Sequence, residues 1–400
     1  MPTTPLTVTR AAAIPDKRRI SRYRRSPELG PQLLFFSGGS ALHTLSQQIR
    51  LYTHNSVHLV TPFDSGGSSA KLRQAFDMPA IGDLRHRMMA LADDSEIGHE
   101  EIYRLFSHRL PQDASKKELE GELDDLCRGR HPLIAEIDNP MRRLIRIQLA
   151  FFQEAMPDKF DLRRASIGNL ILAGGYLNNM EHLDPIVFLF SKLVGVRGTV
   201  RTVVNENLHL SVELADGSVV VGQHRMTGKE TAPLKSPIRS MGLSRHPNKP
   251  IPAQALLQKF NRRMIVGADL ICYPPGSFFS SLLANLLPSG VAEAIASNHC
   301  PKVYVPSLGH DPEMLGQEMD DQLQLLLNTL QQGMKNEVPA TDFLQFILLD
   351  SRQKKQLPSE KVLKRVRKWG VQIIETPLTT NKQVDRYDPT LLAHALLSLT

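Results

Sequence analysis

The sequence predicts an α/β fold, an open and mostly parallel sheet flanked by helices. Three observations predict it. Short apolar runs rich in β-branched and aromatic residues, too brief for helices, alternate with stretches of helical periodicity. Several of these runs end in glycine or proline turns that lead directly into a helix pattern. The resulting strand–helix–strand order makes βαβ units, which favour parallel pairing and place ligands at the strands' carboxyl ends.

Residues 1–30 precede the first strand. They hold seven basic side chains (Arg10, Lys17, Arg18, Arg19, Arg22, Arg24, Arg25) against two acids (Asp16, Glu28), with scattered prolines. This pattern reads as a disordered basic arm, either solvated or in touch with an acidic partner. An organellar targeting segment is the remaining alternative. Residues 31–400 read as one α/β domain. Its first strand covers residues 32–36 and closes in Ser37-Gly38-Gly39-Ser40. A helix follows, with Leu42, Leu45 and Ile49 at helical spacing. The run Val57-His58-Leu59-Val60 is the second strand. It enters Asp64-Ser65-Gly66-Gly67-Ser68-Ser69 and then a helix over 70–76. Gly82-Asp83-Leu84-Arg85 opens another.

From 93 to 164 the chain is helical and polar, which reads as a helical insertion or lid, or as a plain surface subdomain. Ser166 is placed to cap the apolar helix that follows it. Strand patterns resume at 198–204, 208–214 and 219–223, with Asp216-Gly217 as a hairpin signal between the last two. The segment 268–277 reads as a strand ending in the rigid turn Pro274-Pro275-Gly276-Ser277, followed by a helix. Later strands are expected at 302–305, 343–349 and 371–375, and helices at 360–369 and 391–399.

Bulk properties narrow the function classes. The 400-residue chain is 41% apolar with no run long enough to cross a membrane. No secretory signal is visible, and Cys127, Cys272 and Cys300 lie far apart, which fits the reducing cytoplasm and opposes a disulfide framework. The formal net charge is +7. The arm supplies +5 of it, leaving about +2 for the rest, too little for a nucleic-acid-binding face.

The chemistry-bearing residues gather at three turns. In each, glycines allow close backbone approach and a helix start offers N–H groups to an anion. Asp64 suits Mg²⁺, which takes one or two carboxylates plus substrate phosphates; a turn or N-cap aspartate is the alternative. Asp83 and Arg85 suit a hydroxyl and a phosphate, or pair with each other. Ser40, Ser68 and Ser277 read as phosphate donors, since no Gly-x-Ser-x-Gly elbow is present. Neither a dinucleotide fingerprint nor a P-loop occurs, and His54 and His58 lack the helix that a metal-binding pair would need.

These residues resemble the CofD-like family, which includes 2-phospho-L-lactate transferase and the YvcK-type nucleotide-sugar-binding factors. Ser37 to Ala41 resembles the family's opening glycine loop, Phe63 to Ser69 its Asp-Gly-Gly-Ser segment, and Pro79 to Ala92 its Gly-Asp-Ile-Arg segment. Ser166 to Leu170, the stretch 268–287 with Asn285, and Asp385 to Ala393 match further motifs. The likeness is strongest to CofD-like proteins of the GAK system. It implies a Rossmann-like fold that forms homodimers and a Mg²⁺-dependent transfer of a phosphoester group from a nucleotide-diphosphate-linked donor to a hydroxyl. A non-catalytic nucleotide-sugar-binding regulator is the alternative. It also implies Asp64 and Asp83 as catalytic, Asp64 as the metal ligand, and Gly38, Gly39, Ser40, Ser65, Gly66, Gly67, Ser68, Arg85, Asn169, Pro275, Gly276, Ser277 and Asn285 as substrate- or phosphate-binding. Ser65 stands where YvcK-type members carry a second aspartate, which removes one potential metal ligand.

Overall fold

The computed structural model describes residues 11–93, 100–228, 231–353, 358–380 and 385–400. The expected arm over 1–10 and the expected insertion over 94–99 lie outside the described residues. The strands, in chain order, are β1 (Leu33–Ser37), β2 (Val57–Val60), β3 (Thr199–Thr202), β4 (His209–Leu214), β5 (Val219–Val221), β6 (Ile238–Ser244), β7 (Pro252–Ala253), β8 (Leu270–Tyr273), β9 (Lys302–Tyr304), β10 (Phe346–Asp350) and β11 (Gln372–Thr376).

Seven of them form one Rossmann-like parallel sheet in the order β11-β10-β9-β8-β1-β2-β3. The register is exact in the centre, with Leu34 beside Val57 and Phe35 beside Cys272. Every position of β1, β2, β8 and β9 is buried. Continuous apolar runs are what strands covered on both faces require. The chain lays β2 and β3 to one side of β1 and β8 to β11 to the other. The loops leaving the carboxyl ends of β1 and β8 therefore diverge and open a crevice between them.

The three strand patterns expected between 198 and 223 divide between two sheets. The first became β3; the other two became β4 and β5 of a separate antiparallel sheet, ordered β5-β4-β6-β7. Gly217 takes φ +83 in the hairpin between them, a left-handed conformation that glycine adopts at no steric cost. Strand β6 escapes sequence reading because Ile238–Ser244 carries a glycine and no clean alternation, with buried residues only at its ends.

The helical stretch contains Glu100–Ser107, Lys116–Arg128, Pro132–Ala135 and Met141–Ala155. It shares one apolar cluster with Leu84 and Met88 of the Gly82–Leu91 helix and with Ile167–Asn178, through Phe106, Leu149 and Phe152. Gly174 lets the Met141–Ala155 helix come close: a Cβ there would stand 1.8 Å from the Gln148 carbonyl oxygen. Ser166 does occupy the N-cap of Ile167–Asn178, but its hydroxyl makes no capping bond.

The disordered arm is corrected for its described part. Lys17–Arg25 is a helix, capped by Asp16, whose side chain accepts from the Arg19 N–H at 3.0 Å. Ile20 is buried among Leu396, Leu397 and the β1 side chains. Arg19, also buried, donates to the Ser398 carbonyl at 3.2 Å, where a helix C-terminus favours a cation. Lys17, Arg18, Arg22, Arg24 and Arg25 remain exposed.

Candidate functional site

A cleft of about 360 Å³ lies at the carboxyl ends of β1, β2 and β8. All the residues expected at the site line it except Ser65 and Asn285. Loop 37–40 and Asp83 are fitted to each other. A Cβ on Gly39 would stand 2.4 Å from Asp83 Oδ1, and one on Gly38 would stand 2.3 Å from Ser281 Oγ. Any side chain at these glycines would push the carboxylate or the loop aside.

Two buried arginines fix the loops from behind, and sequence reading named neither. Arg87, 1% exposed, donates to the carbonyls of Gly38 at 3.0 Å and Gly39 at 3.1 Å and to Ser46 Oγ at 2.5 Å. Burial lowers its guanidinium to about 10, while Asp83 opposes that shift. It therefore stays charged at neutral pH. Arg73 donates to the carbonyls of Phe63 and Asp64 at 3.1 and 2.9 Å and clamps them to Asn207 and Leu208.

Asp64 is poised between the two roles expected of it. Its Oδ1 accepts from the Gly66 N–H at 3.0 Å, closing a turn, while Gly66 itself takes the helix N-cap. Oδ2 lies toward Gly82, 3.5 Å from where a Cβ would be. One oxygen committed to the turn leaves the other for a cation, and Asp83 supplies a second carboxylate in the same cleft. Carboxylate oxygens of this kind suit a hard divalent cation.

Arg85 does not pair as the sequence alternative had it but donates to Asn169 Oδ1 at 2.9 Å and to the Phe106 carbonyl at 3.2 Å. Asn169 donates in turn to Ser68 Oγ at 3.4 Å. This chain ties the second loop to the helical layer and aligns the guanidinium at the cleft.

The full length of this arrangement has a counterpart among known proteins. The family described as 2-phospho-L-lactate transferase CofD matches residues 33–379. The chain belongs to the CofD family. Similar proteins include a putative gluconeogenesis factor from Thermotoga maritima, 26% identical over 84% of this chain and 83% of that protein. A gluconeogenesis factor from Bacillus subtilis is 25% identical over 92% of this chain and 98% of its own. The crystal structure of a UPF0052 family member from Bacillus halodurans superposes with a TM-score of 0.65 at 23% identity, covering 92% of this chain and 99% of that one. That likeness bears on the fold.

Two residues carried over from the CofD resemblance turn elsewhere in this member. Asn285 is fully buried and donates to the carbonyls of Ser37 at 2.9 Å and Ser281 at 2.8 Å, so it braces the first loop from inside. Ser65 Oγ lies 2.8 Å from His224 Nδ1 and accepts from the His224 N–H at 3.1 Å.

The turn after β8 also departs from a simple phosphate cradle. Gly276, at φ +155, donates its N–H to Ser307 Oγ at 2.9 Å. Beyond Ser277, three successive amides donate to carboxylates: Phe278 to Asp311 at 2.8 Å, and Phe279 and Ser280 to Glu313 at 3.1 and 2.8 Å. The protein's own acids occupy the donors expected to receive a ligand anion. The turn supplies a wall and the Ser277 hydroxyl, which makes no cap bond.

The cleft gains residues that the motifs did not indicate. His86 and Arg109 line it from the helical side; Gln223, His224 and Thr227 line it from the short helix that follows β5. Away from the cleft, His108, Glu122 and His131 bring ligand-type atoms within 4.8 Å of one another. His131 Nδ1 accepts the Leu133 N–H at 3.2 Å as a helix cap, which leaves the proton on its Nε2 facing Glu122. Among the described residues no helix is long and apolar enough to cross a membrane.

Proposed function

We propose that this cleft binds a nucleotide-diphosphate-linked phosphoester with Mg²⁺ and transfers the phosphoester group to a hydroxyl acceptor. The observation that carries this reading is the placing of Asp64, Asp83 and Arg85 in one cleft with close-approach glycines, at the switch point of a CofD-family sheet. Asp64 would hold the Mg²⁺, which when bound would neutralise the diphosphate and the departing oxygen, leaving Asp83 for the acceptor hydroxyl. Arg85 takes non-bridging phosphate oxygens, and Gly38 and Gly39 admit the diphosphate close to the backbone. The acceptor hydroxyl oxygen bonds to the distal phosphorus, its proton passing to Asp83. The bond from that phosphorus to the bridging oxygen breaks, and the nucleoside monophosphate leaves with the electron pair. On the same reading the working form is a cytoplasmic homodimer.

A second reading is a nucleotide-sugar-binding regulator without catalysis. It is favoured by the gluconeogenesis-factor names of the similar proteins and by Ser65, which leaves Asp64 as the one carboxylate in its loop. Thermal shifts with GDP and UDP-sugars, with and without Mg²⁺, separate the two in wild type and Asp64→Ala. Stabilisation that needs Mg²⁺ and is lost in Asp64→Ala, followed by nucleoside monophosphate release with an acceptor, supports transfer. Tight binding that is indifferent to both Mg²⁺ and Asp64→Ala rejects transfer in favour of the regulator.

A further inference from the structure

Ser65 and His224 lie 159 residues apart in the chain and meet beside the cleft, which His224 lines. We propose that His224 contacts the bound ligand, and that Ser65 positions it in the tautomer carrying the proton on Nε2, so that it donates to an anionic oxygen. This deepens the reading above and rests on it, since it names a further ligand-binding residue for the same cleft.

The assignment starts from the two contacts of the Ser65 hydroxyl. Its Oγ meets His224 twice, at the backbone N–H at 3.1 Å and at Nδ1 at 2.8 Å. The backbone N–H can only donate, so Oγ accepts there. Directed at Nδ1, the hydroxyl's own proton makes Nδ1 the lone-pair nitrogen and puts the ring proton on Nε2. With Nδ1 tied, the Nε2 edge is the part of the ring left for the cleft, which His224 lines together with Gln223 and Thr227.

The backbone beneath the ring is shaped for this pose. Gly222 sits at φ +102, and a Cβ there would stand 2.9 Å from His224 Cε1 and 3.1 Å from Nδ1. The ring therefore occupies the space that a side chain would take. Thr227 and Thr231 hydroxyls both donate to the His224 carbonyl at 3.3 Å, holding the short helix that carries it. A donor fixed in advance costs no reorganisation when ligand charge arrives.

Three variants and one spectrum test this. The amide nitrogen of His224→Gln reaches the place of Nε2, whereas that of His224→Asn reaches the place of Nδ1. With GDP and Mg²⁺ as the probe, His224→Asn should weaken binding by about tenfold or more, as loss of a hydrogen bond to a charged group does. His224→Gln should bind within about threefold of wild type, and Ser65→Ala should fall between them. Nitrogen-detected NMR of the ligand-free wild type should show the Nε2–H tautomer, and Ser65→Ala should lose that preference. His224→Asn binding GDP as tightly as wild type, or a wild-type ring protonated at Nδ1 alone, overturns the inference while the proposed function stands. Wild type that binds neither GDP nor a UDP-sugar overturns both.

Discussion

Replacing Arg87 by methionine keeps most of the side-chain bulk and removes the guanidinium. Arg87 is 1% exposed and is the donor for the carbonyls of Gly38 and Gly39 and for Ser46 Oγ. It is also the buried cation beside Asp83. Each buried acceptor stripped of its partner costs about 1–3 kcal/mol, and a buried charge pair broken on one side costs about 3–5 kcal/mol. These losses overlap, because both carbonyls share one nitrogen and the same cation serves Asp83. The expected destabilisation is therefore about 4 kcal/mol rather than the sum. Equilibrium urea unfolding measures it, and a GDP titration with Mg²⁺ on the folded fraction measures the site. Both should fall, since the anchored carbonyls set the path of the 37–40 loop. Arg87→Lys should recover only part, because an ammonium cannot span the guanidinium's fork. Arg87→Met within about 1 kcal/mol of wild type, with unchanged GDP affinity, would refute the claim that this residue holds the loop.

Two further outcomes concern the walls of the site. Burial, with Asp311 beside it, pushes the Glu313 carboxyl up from its ordinary 4.5 to about 7. The fold thus favours the protonated form, and the stability it brings is complete below the ordinary value and lost as pH rises through about 7. At about 1.4 kcal/mol per pH unit the loss is about 3 kcal/mol. Glu313→Gln imitates the protonated acid and should flatten the stability slope between about pH 5 and pH 8; an unchanged slope removes Glu313 as its source. Gly174→Ala should lower the unfolding midpoint, because its Cβ would meet the Gln148 backbone at 1.8 Å. Overpacking of about 1–3 kcal/mol exceeds the gain of about 1 kcal/mol in helix propensity. A midpoint at or above that of wild type would show that the two helices part freely there.

What the sequence revealed depended on how local each signal was. Asp64 with its glycines, and the 37–40 and 274–277 turns, were visible because the chemistry and the backbone freedom sit on adjacent residues. Arg73 and Arg87 were not, since their partners are main-chain carbonyls, 48 and 49 residues away in the case of Arg87. Asn285 was placed in the cleft because a motif fixes position without fixing side-chain direction, and its amide turns inward to Ser37. The same holds for Ser65, whose partner follows a hairpin that showed only strand alternation. The arm was misread because its charges hid Asp16 as a cap and Ile20 and Tyr23 three apart on one helix face. The 278–280 amides looked available because the acids that take them, Asp311 and Glu313, arrive from a later strand's loop.

The helix Pro389–Leu397 has a consequence for how the molecule is made. Its Leu392 and Leu396 share one apolar cluster with Leu45, Ile49 and with Leu33 and Phe35 of β1, and His394 meets the Tyr52 hydroxyl at 2.8 Å. A ribosome releases β1 and Leu45 early, yet the cluster on that face of the strand is complete only when residues near 390 have emerged. That cluster thus lacks its last layer for nearly the whole of translation, a period in which collapse onto the wrong neighbour or capture by a chaperone competes with folding.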